Sequence, residues 1–178
     1  GETGKAMHTI WYQPNRAFGV GNQVEEGEHL ENGFPAYSSV WGDKNNYGNR
    51  GERYLAGVAF LEGADKHPSA VMCRGYYTRS YLWAVDFDGK ELKTKWLHAS
   101  LTPNDWKVTD ADGKVLKEAH GCKATAYAQG AHSLAVGDVD GDGRDEITYG
   151  SAAINPDGTL LYSTGLGHGD AQHLADLD

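Results

Sequence analysis

The stretch "VGDVDGDGRDEITYGS", residues 136–151, sets carboxylates at alternate positions, Asp138, Asp140 and Asp142, then Gly143, an acidic pair and a β-like run. Carboxylates this close repel one another unless a cation lies between them. In an EF-hand, oxygen ligands come from positions 1, 3, 5, 7 and 12 of a loop held between helices. Here Asp138, Asp140 and Asp142 take positions 1, 3 and 5, and Gly143 supplies the sharp turn. Arg144 can offer only its backbone carbonyl. Position 12 is Tyr149, so the bidentate Glu of an EF-hand is missing, and Glu146 at position 9 opens a strand instead. The spacing predicts a cation loop inside a β-hairpin, with three carboxylates converging on calcium and Asp145 pointing to solvent. The bland alternative is a solvated acidic hairpin.

The β-like run after the loop belongs to a repeat. Aligning "LAVGDVD" with "QHLADLD" sets Asp138 over Asp176 and Asp140 over Asp178, an offset of 38 residues. A period near 40 suits a four-stranded propeller blade. The frame predicts strands over 53–61, 69–79, 81–87 and 91–99, with the first innermost and most apolar, and an irregular insertion over 100–130 that holds a hairpin at "VTDADGKVLK". A second blade is predicted over 133–165 and the start of a third over 166–178, where Asp176 and Asp178 begin another cation loop. Residues 1–12 read as the outer strand of a preceding blade, and 13–52 as a long polar loop ordered by Tyr37, Trp41 and Tyr47. The fold class is thus all-β, a β-propeller, with the whole chain part of one such domain. About two and a half blades cannot close a ring of four to eight, so the chain reads as a piece of a longer protein whose remaining blades are its partners.

Composition agrees. There are 24 Gly, 10 Tyr and 5 Trp in 178 residues, which suits short strands and tight turns. A net charge of −9 without any Lys/Arg cluster excludes nucleic acid as a partner. No apolar run reaches the length of a membrane span. Two cysteines, Cys73 and Cys122, define no disulfide framework, and Cys73 falls in an apolar strand pattern as a buried thiol.

Two further groups carry chemistry. His132 precedes one inner strand, and His168, Asp170 and His173 precede the next. At that junction they can bind a metal or an acidic sugar, or simply form polar loops. "MCRGYYTR" gathers Arg74, Tyr76, Tyr77 and Arg79. Strand alternation would put Arg74 and Tyr76 on one face and Tyr77 and Arg79 on the other. One pair could hold a carboxylate, or both could serve packing between blades.

"WGDKNNYGNRGERYLAGVAFLEG", "PSAVMCRGYYTRSYLWAVDFDG", "AHSLAVGDVDGDGRDEITYGSAAINPDG" and "LYSTGLGHGDAQHLADLD" resemble successive segments of the rhamnogalacturonan lyases of polysaccharide lyase family 11. The resemblance covers nearly the whole chain, and "MCRGYYTR" and "GLGHGDAQH" are its most specific parts. It implies an eight-bladed, calcium-rich propeller that cleaves the rhamnogalacturonan I backbone of pectin by β-elimination. It makes His132, His168 and Asp170 candidates for a functional calcium, with His173 beside them, and Arg74, Arg79 and Tyr76 candidates for substrate contact. An acidic polymer as substrate implies an extracellular or periplasmic site of action in a bacterium. The other reading is a non-catalytic, calcium-stabilised propeller module that binds carbohydrate or protein.

Overall fold

The computed structural model describes residues 3–14, 30–31, 34–35 and 53–175, and every regular element among them is a β-strand. A short ladder pairs β1 (Leu30–Glu31) with β2 (Phe34–Pro35). The rest of the predicted 13–52 loop, with Tyr37, Trp41 and Tyr47, lies outside the described residues, as do Asp176 and Asp178.

A six-stranded antiparallel meander follows: β3 (Tyr54–Ala59), β4 (Ser69–Arg74), β5 (Ser80–Phe87), β6 (Leu92–Ser100), β7 (Trp106–Thr109) and β8 (Val115–Ala119). The first four are the strands expected of one blade. The hairpin predicted at "VTDADGKVLK" is present as β7 and β8, and it continues the same sheet, which the reading of 100–130 as an insertion does not foresee. β7 pairs with β6 from Leu97↔Thr109 to Ser100↔Trp106, and Val108 is fully buried. The turn chemistry of "DADG" announces the hairpin. Its docking depends on Val108 reaching a core built from distant residues, which local sequence does not state.

A second antiparallel sheet runs β9 (Ala135–Gly137), β10 (Glu146–Tyr149), β11 (Ala152–Ile154) and β12 (Leu160–Ser163), neighbours in chain order. Its buried Ile147, Tyr149, Ala152 and Ile154 share one core with Val71, Cys73, Leu82, Ala84 and Trp96 of the first sheet. The opposite face of the first sheet buries Tyr81, Trp83, Val85, Leu97 and Ala99, with Ile10 and Tyr12 packed against them. Burial on both faces makes β5, and not β3, the deepest strand. β3 is a sheet edge with Val58 63% exposed, because it has a hydrogen-bonded neighbour on one side only. The edges β3 and β9 lie close together: a Cβ on Gly57 would sit 2.9 Å from Leu134 Cδ2.

Residues 3–14 pair with no described strand. They cross the second face as irregular chain, held where the Tyr12 hydroxyl donates to the Cys73 carbonyl (2.9 Å) and where the Leu92 amide donates to His8 Nδ1 (2.9 Å). The predicted strand over 69–79 stops at Arg74. Gly75, at φ +78°, turns the chain out of extended geometry, so side-chain alternation ends there. Both cysteines are free thiols, and burial pushes the pKa of Cys73 up to about 12.

Candidate metal and ligand site

The acidic loop closes the β9–β10 hairpin, with Glu146 opening β10 opposite Gly137. The loop is built on its own aspartates. Asp138 accepts amide hydrogen bonds from Gly141 (2.8 Å), Asp142 (3.1 Å) and Gly143 (2.9 Å). Gly141 and Gly143 hold φ of +78° and +86°, a conformation that other residues adopt only at a cost. Asp138, Asp140 and Glu146 each bring one carboxylate oxygen within 4.8 Å of the others. Glu146 is fully buried; one oxygen accepts from the Val139 amide (2.9 Å), and Oε1 has no partner among the described residues. Burial, then the charges of Asp140, Asp142 and Asp138, push its carboxyl above the usual range. A buried carboxylate with an open oxygen beside two more is the donor set of a hard cation.

Asp142 lies outside this trio: its carboxylate pairs with the Arg144 guanidinium, which holds it below the ordinary carboxylate range. The short reach from residue 142 to 144 makes that ion pair local. Asp145 does not point to solvent. Its Oδ2 accepts from the Phe60 amide (2.7 Å), and its own amide donates to the Phe60 carbonyl (3.2 Å). The loop is thereby tied to the β3–β4 turn of the other sheet.

The second cluster is formed by His132, His168 and Asp170, whose ligand atoms also lie within 4.8 Å of one another. His168 Nδ1 lies 2.6 Å from the Gly130 carbonyl, which can only accept, so the proton sits on Nδ1. Nε2 is buried without a hydrogen-bond partner among the described residues, 3.8 Å from Asp170 Oδ1. A ring fixed through one nitrogen by a backbone carbonyl is how metal-binding histidines are oriented. Residues 129–131 and 167–169 run side by side. Gly167 donates to Gln129 Oε1 (3.0 Å), and a parallel bridge joins Ala131 to Gly169. The register is the 38-residue repeat itself, since Gln129 to Gly167 and Gly130 to His168 are both 38 apart. His173 is exposed and outside the cluster.

Aromatic rings wall this cluster. Tyr77 lies 4.3 Å from both Tyr76 and His168, and Tyr76 lies 5.4 Å from His132. Beside them opens a cleft of about 130 Å³, lined by Arg53, Tyr54, Cys73, Tyr76, His132 and Tyr149 among others. Of the three predicted substrate contacts, Tyr76 lines this cleft, whereas Arg74 is 2% exposed. The Arg74 guanidinium donates to the Pro14 carbonyl (3.1 Å) and lies over the Tyr54 ring. Arg79 is half-buried on the loop after Gly75. Sequence reasoning misses Arg53, Gln129 and the tie made by Asp145. For Gln129 a signal exists, because it stands 38 residues before Gly167, at the matching point of the repeat.

The family model described as "Rhamnogalacturonan lyase family 11, C-terminal domain" matches residues 1–178. Rhamnogalacturonan exolyase YesX of Bacillus subtilis (strain 168) is 46% identical over 179 residues, which take in 100% of this chain and 22% of that protein. Rhamnogalacturonan endolyase YesW of the same organism is 42% identical over 180 residues, with the same coverage of 100% and 22%. The crystal structure of exotype YesX matches with a TM-score of 0.62 at 49% identity, over 79% of this chain and 20% of that one. Bacillus licheniformis rhamnogalacturonan lyase PL11 matches at 0.57 and 47%, over 76% and 19%. The chain therefore spans about a fifth of the length of the curated relatives it matches, 22%.

Proposed function

This chain belongs to rhamnogalacturonan lyase family 11, and on that premise we propose that it is part of a lyase that cleaves the rhamnose–galacturonate bonds of rhamnogalacturonan I. The observation that carries this reading is the cluster of His132, His168 and Asp170 beside an aromatic cleft, in which His132 and Asp170 stand 38 residues apart in the chain. The two sheets are adjacent blades of a propeller: 53–99 with its added hairpin, and 133–165. Residues 166–178 begin the next blade, 1–12 lead in from the preceding one, and the remaining blades come from the longer protein. The side-by-side register at 38 residues supports this arrangement.

The reaction is β-elimination. A base takes the C5 proton of galacturonate, the electron pair becomes the C4=C5 double bond, and the C4–O bond to rhamnose breaks, its oxygen taking up a proton. The C5 proton is acidic enough only when the neighbouring carboxylate is neutralised. Calcium bound by His132, His168 and Asp170 would supply that positive charge. The chain's own part is orientation. Gly130 fixes the tautomer of His168, Gln129 anchors the backbone before it, and Tyr76 and Tyr77 hold its ring. Asp138, Asp140, Glu146 and the Arg144 carbonyl would hold a second, structural calcium, with Asp142 joining them on release from the Arg144 guanidinium. Asp176 with Asp178 would begin a third site. A polymer of this size is met outside the cytoplasm, so the protein acts extracellularly or in the periplasm.

The test is to incubate the full-length chain with rhamnogalacturonan and calcium and follow the ultraviolet absorbance of the unsaturated uronate. A rise that chelator abolishes is expected. Binding without a rise would replace the lyase by a carbohydrate-binding module, and neither binding nor a rise would remove both readings.

A further inference from the structure

We propose that Arg53, set over the ring of Tyr76, is the group that recognises the carboxylate of a galacturonate residue at the cleft beside His132. This rests on the lyase reading above and assigns to Arg53 the contact that sequence alone gives to Arg74.

Arg53 stands just before β3. Its carbonyl accepts from the Gly75 amide (3.2 Å), which fixes the backbone, while its side chain is exposed. Cζ lies 5.8 Å from the centroid of the Tyr76 ring. Tyr76 is itself 3% exposed and 5.4 Å, centroid to centroid, from His132. Arg53 is the permanently charged side chain among those lining the cleft, and no carboxylate among the described residues pairs with it.

Lys95, Lys117 and Arg144 are each engaged by carboxylates of this acidic chain, and Arg74 is buried against Pro14 and Tyr54. In a chain of net charge −9, Arg53 stands at the mouth of the cleft with no anion beside it among the described residues. Guanidinium presents a planar fork that fits a carboxylate through two parallel hydrogen bonds. The Tyr76 ring lies within cation–π distance of the guanidinium, an attraction that favours this placement of the side chain before the anion arrives. The ligand class that matches is a sugar acid, with its carboxylate on Arg53.

The experiment measures binding of rhamnogalacturonan oligosaccharides, and of the same oligosaccharides with their carboxyl groups reduced, to the full-length protein by calorimetry, alongside kcat and KM. Arg53→Ala is expected to weaken binding of the native oligosaccharide about tenfold or more, the scale of a lost charge-assisted hydrogen bond. The loss should appear in KM more than in kcat. Arg53→Lys should fall between, because it keeps the charge and loses the fork. Neither change should alter binding of the reduced oligosaccharide or the rise in melting temperature given by calcium. Equal losses on native and reduced ligands, or none on the native one, would overturn the assignment while leaving the lyase intact. A wild-type protein that neither binds nor cleaves the native polymer would instead overturn the lyase reading, and this one with it.

Discussion

Glu146 is the residue in which sequence and site chemistry meet most sharply. It is fully buried, has one oxygen without a partner among the described residues and faces two other carboxylates. Without a cation its charge costs stability, and with one the same charge binds. Glu146→Gln should therefore act in opposite directions. In chelator the variant should melt higher than wild type, because the amide removes one of the repelling charges. In millimolar calcium it should melt lower, because a ligand charge is gone. Paired thermal melts check this, and a variant that keeps the full calcium-dependent rise would refute the ligand role. His98 makes a pH prediction. It is fully buried, with Nδ1 2.7 Å from the Gly158 carbonyl and Nε2 2.8 Å from the Ser100 hydroxyl. Nδ1 therefore carries the proton, and Nε2 accepts. Burial holds its pKa down at about 4, below the ordinary 6.5. The unfolded chain binds the extra proton first, so the stabilising contribution is complete above pH 6.5 and is lost as pH falls toward 4. The loss should be on the order of 3 kcal/mol. Urea unfolding across that range checks the slope, which His98→Asn should flatten.

At the scale of elements, the joint between the two sheets runs through Asp145 and Phe60. Asp145→Ala removes the 2.7 Å bond from the Phe60 amide and leaves the ligand trio in place. It should cost about 1 kcal/mol. Hydrogen exchange should show the loss of protection concentrated at the Phe60 amide, with the calcium-dependent rise in melting temperature retained. Unchanged exchange there would mean that the joint lies elsewhere. The elements also show how far the sequence can be read. The loop spacing at 138–146 is legible because alternating aspartates and a glycine make a local geometric statement. The strands of the first sheet are legible from apolar runs bounded by turn residues. The place of β7 and β8 is not, since it is decided by Val108 entering a core whose other members are far away in the chain. The end of β4 escapes a reading by alternation, because Gly75 looks like any other strand position until its positive φ cancels the pattern. The same blindness makes Arg74 look available, although its surroundings, Pro14 and Tyr54, come from other segments.

Over the whole molecule, the legible feature is the 38-residue spacing, and it is legible because it is linear: residues 38 apart in the chain lie in lateral contact at Gln129–Gly167, Gly130–His168 and Ala131–Gly169. Arg53 and Asp145 are not legible, because each gains its meaning only when a second segment arrives beside the first. The bridge from Ala131 to Gly169 has a consequence of its own. Where matching points of two successive units already touch, the intervening stretch is a cassette whose two ends meet. Excising it, or copying it, leaves a junction that needs no new connecting chain.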